Sequence, residues 1–322
     1  MENNFDVIII GAGPIGLRCG IEAINRKLSY LIIDKGCLVN SIYNYPTNMT
    51  FFSTSERLEI GGVPFVSHGD KPTRREALEY YRRVKDSWNL KVNTYEKVLN
   101  VSGNKGDFIV ETDKGKYSCG NVIVATGFYD TPNMMNVRGE NLPKVKHYFK
   151  EAHPVAYLDI IIVGAGNSGV DVALETYRRG SRVTMVVREN KIKDSVKYWV
   201  KPDIENRIRE ESIKVFFNST ISEIREKEVD IKTPDGIVTI KNDFVFAMTG
   251  YKTDFKFLEM MDINISNDES KTPQFNETTF ETNKEGIYLA GVVCGGMETG
   301  KWFIENSRDH AVNIFDNICA KT

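Results

Sequence analysis

Two glycine-rich turns of identical spacing constrain this chain of 322 residues more than any other feature: Gly11-Ala12-Gly13-Pro14-Ile15-Gly16 and Gly164-Ala165-Gly166-Asn167-Ser168-Gly169. Each follows an aspartate and four apolar residues, Asp6 before residues 7–10 and Asp159 before residues 160–163. Each opens a helix-like run that leads to a second apolar strand, at 30–33 and at 183–187. In such a unit the first glycine makes the tight turn, the second lets the backbone approach a pyrophosphate, and the third lets helix and strand pack closely. The helix N-terminus then presents free N–H groups and partial positive charge to the phosphates. A single Gly-x-Gly-x-x-Gly run is weak evidence, but two in the same strand–turn–helix–strand context predict two dinucleotide sites.

The two copies differ where their second strands end. The first ends Ile32-Ile33-Asp34-Lys35, and the Asp34 carboxylate can accept hydrogen bonds from ribose hydroxyls. The second ends Val186-Val187-Arg188, with a cation where an acid would repel a 2′-phosphate. The first site is therefore assigned to FAD and the second to NADPH. Two further strand ends share a form, residues 121–127 (Asn-Val-Ile-Val-Ala-Thr-Gly) and 244–250 (Phe-Val-Phe-Ala-Met-Thr-Gly), and bracket the second motif. The expected fold is α/β: two Rossmann-like, three-layer dinucleotide-binding domains, with the NADPH domain (121–245) inserted in the FAD domain (1–120 and 246–322). Tyr288-Leu289-Ala290-Gly291 completes the first domain, and an apolar helix is expected over 302–318. Its N-terminus would point at the flavin pyrimidine.

Between these landmarks, residues 40–65 are aromatic-rich without clear periodicity, and Tyr43, Tyr45, Phe51 and Phe52 are expected to wall the isoalloxazine ring. Residues 74–88 read as an amphipathic helix, and 91–112 as short strands broken at Gly103 and Gly106. A net charge of −2 gives no electrostatic reason to expect nucleic acid or an anionic membrane as partner. The first residues lack the basic region and apolar run of a signal peptide, and no apolar stretch approaches the ~18 residues of a membrane helix. Five cysteines, an odd number at irregular spacing, suit a reducing cytoplasm.

The two motifs, the paired Thr-Gly turns and the Tyr-Leu-Ala-Gly strand resemble the low-molecular-weight thioredoxin reductase-like flavoproteins over nearly the whole chain. Longer stretches, among them Asn40-Ser41-Ile42-Tyr43-Asn44-Tyr45-Pro46-Thr47, His147-Tyr148-Phe149-Lys150-Glu151-Ala152-His153-Pro154 and Phe303-Ile304-Glu305-Asn306, look like the YpdA family of bacillithiol disulfide reductases. The resemblance implies FAD and NADPH, a cytoplasmic setting and a homodimer or homotetramer. It implies a FAD site of Gly11, Gly13, Pro14, Ile15, Gly16, Asp34, Lys35, Asn40, Ser41, Tyr43, Val98, Ala125, Thr126, Gly127, Gly291, Val292, Phe303 and Ile304. The NADPH site would take Gly164, Gly166, Asn167, Ser168, Gly169, Arg188, Thr249 and Gly250. The acceptor implied is a small-molecule disulfide such as bacillithiol disulfide.

Two departures concern the chemistry. A thioredoxin reductase uses two thiols in its NADPH domain, but the corresponding positions here are His147 and Lys150, and no C-x-x-C or C-x4-C occurs anywhere. YpdA-type proteins carry a cysteine inside the first motif, as Gly-x-Gly-Pro-Cys-Gly, where this chain has Ile15. Cys19, four residues on, and Cys294 are the remaining candidates for a redox thiol, although a cysteine inside a packed helix is more often an inert small hydrophobe. His147, His153 and His310 are read as loop hydrogen-bonding groups at a domain junction rather than as acids or bases. The alternatives to a disulfide reductase are a ferredoxin– or flavodoxin–NADP reductase with a small redox protein as acceptor, a flavin monooxygenase-like enzyme, and a non-catalytic flavin redox sensor.

Overall fold

The computed structural model describes residues 4–321, and the chain divides into two compact units. One holds the residues up to 44, 48–131 and those from 251 on, and the other holds 45–47 and 132–250. The second unit is thus inserted in the sequence of the first.

The first unit begins with β1 (Asn4–Ile10), α1 (Pro14–Asn25) and β2 (Tyr30–Ile33). β1 runs parallel to β2, with Val7 opposite Tyr30 and Ile10 opposite Ile33. Residues 7–10 and 30–33 are buried without alternation, Val7, Ile8, Ile9, Ile32 and Ile33 completely so, as a parallel strand covered on both faces requires. Residues 40–65 hold only two short helices, α2 (Asn40–Asn44) and α3 (Ser55–Leu58). Phe51 is buried there, while Tyr43 and Phe52 are exposed.

Next comes α4 (Arg74–Ser87), close to its expected span. It starts at a capping box: the Glu76 N–H donates to Thr73 Oγ1 at 3.3 Å, and the Thr73 N–H donates to the Glu76 carboxylate at 2.7 Å. Ala77, Tyr80, Tyr81 and Val84 form its buried stripe. Then follow β3 (Val92–Asn93), β4 (Val98–Asn104), β5 (Asp107–Thr112) and β6 (Lys116–Val124). β6 lies parallel to β1 and serves two neighbours on its other edge. Residues 116–119 pair antiparallel with β5, and 122–124 pair parallel with a strand from the end of the chain.

The second unit contains β7 (Val145–Lys146), β8 (Asp159–Val163), α5 (Asn167–Tyr177), β9 (Arg182–Val186), α6 (Lys201–Arg209), β10 (Lys214–Phe216), β11 (Thr220–Ile224), β12 (Glu228–Thr233), β13 (Gly236–Lys241) and β14 (Phe244–Ala247). A parallel sheet of order β10-β9-β8-β14-β7 faces helices on one side and the antiparallel sheet β11-β12-β13 on the other. The period-2 alternation of strands decides which residue goes where. Ile160 and Ile162 pack toward α5 with Val170 and Leu174, whereas Ile161 packs toward Ile221, Val229 and Ile231. The same layering repeats in β14, where Phe246 and Val245 take opposite faces.

The chain returns to the first unit through α7 (Phe255–Met260), β15 (Ile287–Leu289), a 3-10 turn at Gly291–Gly295, α8 (Ile304–Ser307) and α9 (His310–Ala320). Two expectations differ from this arrangement. The expected domain limits at 120/121 and 245/246 fall inside β6 and β14, and the units instead divide at 131/132 and 250/251, beyond the Thr-Gly turns. The helix expected over 302–318 is broken at residues 308–309. Tertiary bonds on both sides of the break override the local apolar pattern: Arg308 Nη1 donates to the Glu59 carbonyl at 3.0 Å, and His310 turns inward to meet Gly291.

Replacing the α4 cap tests the local account. Thr73→Ala should cost about 1 kcal/mol, read as a fall of roughly 2–4 °C in the melting midpoint for a unit of this size. An unchanged midpoint would contradict it.

Candidate functional site

In the first unit four adjacent parallel strands, β2, β1, β6 and β15, end at one edge of the sheet. Ligands of open α/β sheets bind outside such carboxyl ends, where successive connections leave in opposite directions. The residues following these strands converge there. Gly11 has φ of +114°, and a Cβ on it would run into the Ala125 carbonyl oxygen and lie 3.2 Å from the Thr126 nitrogen. A Cβ on Gly16 would strike the Gly11 carbonyl oxygen, whereas one on Gly13 would meet nothing within 4 Å. The first and third glycines are therefore required by the protein itself. The second leaves an open face toward the end of α1, whose N-cap, Gly13, supplies no side-chain cap.

Asp34 first serves the turn. Its Oδ2 accepts the Ala12 N–H at 2.7 Å and its Oδ1 the Gly36 N–H at 2.8 Å. Burial pushes the carboxyl up in pKa, against the pull of those two donors. Each oxygen keeps a further lone pair for a ribose hydroxyl. Lys35 pairs with Asp130 at 3.1 Å. Asn40 and Ser41 open α2, with the Asn40 amide against Gly36, and Arg74 lies 5.5 Å from the Tyr43 ring centroid. Val98 is buried at the start of β4, two residues beyond Glu96, whose N–H donates to the Asp34 carbonyl at 2.9 Å.

Ile15 is buried, and a Cβ on Gly291 would lie 3.2 Å from its Cγ1. A Cβ on Gly127 would lie 3.8 Å from Val292. The turns at 11–16, 125–127 and 291–292 therefore meet, and α8, which begins after Phe303 with Ile304, packs against the 3-10 turn and α1. His310, expected in a loop, is instead buried as the first residue of α9. Its Nδ1 accepts the Gly291 N–H at 3.2 Å, and its ring stacks on Phe280 at 3.9 Å. Burial pulls its pKa down to about 4, so it is neutral with the proton on Nε2. That Nε2 and the Trp302 Nε1 are buried without an acceptor among the described residues, beside a turn where a Cβ on Gly291 would crowd Ile15 and one on Gly295 would touch the Trp302 ring. A cofactor rich in carbonyl and phosphate oxygens fits this donor set. No local pattern marks His310, because its partner lies on a different turn.

Cys19 and Cys294 are both buried. Burial pushes the Cys19 thiol up to about 12 and raises that of Cys294 as well, so neither is a ready thiolate. His147 lies in the second unit, 3.4 Å from the buried Glu140 carboxylate, which accepts the Met135 and Asn136 N–H groups at 2.7 Å. His153 begins a short 3-10 turn and is exposed.

The second unit repeats the first geometry at the ends of β8, β9 and β14. Gly164 has φ of +111°, and a Cβ on it would lie 2.5 Å from the Met248 carbonyl oxygen. One on Gly169 would strike the Gly164 carbonyl oxygen, and one on Gly166 would meet nothing. Gly166 caps α5 without a side-chain bond, so this turn too offers free N–H groups on an open face that suits a pyrophosphate. Ser168 follows in the first turn of α5, and Thr249 Oγ1 donates to the Asn133 carbonyl at 2.6 Å, just before Gly250. Arg188 is well exposed, with Glu189 as its ion-pair partner at 3.4 Å. Among the described residues no group of His, Cys, Asp and Glu could hold a metal ion, and no helix is long and apolar enough to cross a membrane.

Residues 8–291 match the family model described as pyridine nucleotide-disulphide oxidoreductase. The chain is 46% identical to the bacilliredoxin reductase Bdr of Bacillus subtilis, over 98% of this chain and 97% of that one. Two solved structures share its fold with TM-scores of 0.96. They are the bacillithiol disulfide reductases Bdr (YpdA) of Staphylococcus aureus, 42% identical with all of both chains covered, and of Bacillus cereus, 43% identical with 99% of this chain and all of the other covered.

Two outcomes follow from the site geometry. Gly16→Ala, whose methyl would strike the Gly11 carbonyl, should emerge from purification with a much lower flavin-to-protein absorbance ratio; full flavin content would contradict the role given to the turn. For His310 the folded pKa lies below the ordinary value of roughly 6.5. Its contribution to stability is therefore complete above that pH and is lost as the pH falls toward about 4. Melting midpoints of His310→Gln should fall less steeply over this window than those of the unaltered protein, and equal slopes would contradict the assignment.

Proposed function

The chain belongs to the pyridine nucleotide-disulphide oxidoreductase family, and from that premise we propose that it uses NADPH and FAD to reduce a low-molecular-weight disulfide of the bacillithiol disulfide type. The observation that carries the reading is the pair of matched glycine turns, each closed by its own neighbouring strand and each open at its second glycine. Bound FAD supplies acceptance of a hydride from NADPH and delivery of two electrons to a disulfide. The residues of this chain hold, orient and enclose. The turn at 11–16 with Asp34 would take the FAD pyrophosphate and ribose, and the turn at 164–169 with Arg188 would take NADPH.

By the resemblance, Ile15 stands where YpdA-type proteins carry a thiol, and it packs the first turn against Gly291. Cys19 and Cys294 are held as thiols by burial. Reduction of the disulfide therefore proceeds without a thiol in the first turn. The five cysteines are all unpaired, in keeping with a reducing cytoplasm, and by the same resemblance the working form is a homodimer or homotetramer.

Anaerobic mixing with NADPH should bleach the bound flavin, and bacillithiol disulfide should restore its colour with turnover. Faster turnover with ferredoxin or flavodoxin than with the disulfide would overturn the acceptor, and flavin that fails to bleach would overturn the enzyme reading. Cys19→Ala and Cys294→Ala should each retain disulfide turnover. Loss in either variant with flavin still bound would show that a buried thiol takes part.

A further inference from the structure

Residues 93–98, which join β3 to β4, close around the end of β2. Both backbone polar groups of Asp34 are taken there: its N–H donates to the Asn93 carbonyl and its carbonyl accepts the Glu96 N–H, each at 2.9 Å. The Tyr95 N–H donates to the Gly36 carbonyl, also at 2.9 Å. Local propensity does not explain this clasp. β3 is only two residues long, and Tyr95 adopts a left-handed φ of +54°, which strains a bulky residue. The shape must be held from outside the segment.

The hold comes through the Glu96 side chain. Glu96 is 3% exposed, and its carboxylate accepts three hydrogen bonds. Oε1 takes the Thr112 hydroxyl at 2.7 Å and the Tyr117 hydroxyl at 2.8 Å, and Oε2 takes the Asn93 Nδ2 donor at 2.9 Å. Asn93 and Glu96 therefore grip Asp34 with their backbones and each other with their side chains. Thr112 and Tyr117 belong to β5 and β6, so the clasp is pinned to the neighbouring hairpin. Burial, followed by the Glu96 carboxylate itself, pushes the Tyr117 hydroxyl up in pKa, so it keeps the proton that it donates. All three donors are uncharged. A carboxylate buried on such terms adds little stability over a well-packed apolar residue, and its use is to specify one arrangement.

We propose that Glu96 is a positioning residue for FAD. By pinning residues 93–96 to the β5–β6 hairpin it fixes the Asp34 carboxylate at the angle that the cofactor's ribose requires, and so slows the cofactor's departure. The two Asp34 oxygens accept the Ala12 and Gly36 N–H groups at 2.7 and 2.8 Å. Each keeps one lone pair for a ribose hydroxyl, in a direction set by the backbone that the clasp holds. The inference rests on the first turn and Asp34 binding FAD, and it deepens that reading.

The test is the rate of FAD release from the holoenzyme, read as the rise in flavin fluorescence after dilution. Glu96→Ala should release FAD about tenfold faster, the effect expected when hydrogen bonds to a charged group are lost. Glu96→Gln should stay within about twofold of the unaltered protein, since its oxygen still accepts from Thr112 and Tyr117 and the Asn93 amide can turn to meet its NH2 group. Tyr117→Phe removes one donor and serves if Glu96→Ala does not fold; it should speed release about threefold. Action through Asp34 is read from the double variant. With Asp34→Asn in place, Glu96→Ala should add less than about twofold, whereas a merely structural role would make the two losses multiply. Unchanged release in Glu96→Ala, equal losses in Glu96→Ala and Glu96→Gln, or multiplying losses overturn the proposal; if Asp34→Asn alone still speeds release, the FAD site stands. If Asp34→Asn leaves release unchanged, the assignment of the FAD ribose to Asp34 fails as well.

Discussion

The structure depends on one close approach, made twice. In each unit the first glycine of the turn lies against the carbonyl just past the end of the neighbouring parallel strand, Ala125 for Gly11 and Met248 for Gly164, and the third glycine lies against the carbonyl of the first. No side chain can enter either contact. With β1 and β8 brought this close to the helices that follow them, the second glycine is left facing open space at an uncapped helix end. The same backbone constraint that packs the helix onto the sheet thereby leaves an open helix end suited to a phosphate.

The copies diverge in what surrounds that shared frame. At the first turn, Asp34 is spent on two backbone N–H groups before any ribose arrives, and His310 accepts a third from Gly291. Three turns from distant parts of the chain are locked together by neutral or buried groups. At the second turn the surroundings are charged and exposed, with Arg188, Lys193 and Glu189 at the strand end. A buried, pre-tied site suits a cofactor that stays, and a solvated, ionic one suits a cofactor that comes and goes.

Much of this was legible in the sequence because it is local. The turns, the strands before and after them, and the amphipathic stripe of α4 all follow from short spacings. What was not legible depends on pairing over long distances. β6 runs past the expected domain limit because its last residues pair with β15, some 160 residues later. Nothing near 302–318 signals the break at 308–309, because its causes are Glu59 and Gly291. Arg188 could be read at the strand end, yet its sharing of Glu189 with Lys193 needed the fold. Ile15 could be noticed in the motif, yet its packing on Gly291 needed the fold.

The central claim is that two turns built alike hold two different dinucleotides. The most direct measurement is a crystal structure of the FAD-loaded chain soaked with NADP+. The account predicts the FAD pyrophosphate on the backbone of residues 11–16, with a ribose at Asp34, and the NADP+ pyrophosphate on residues 164–169. FAD on the second turn, or both dinucleotides competing for one turn, would contradict it.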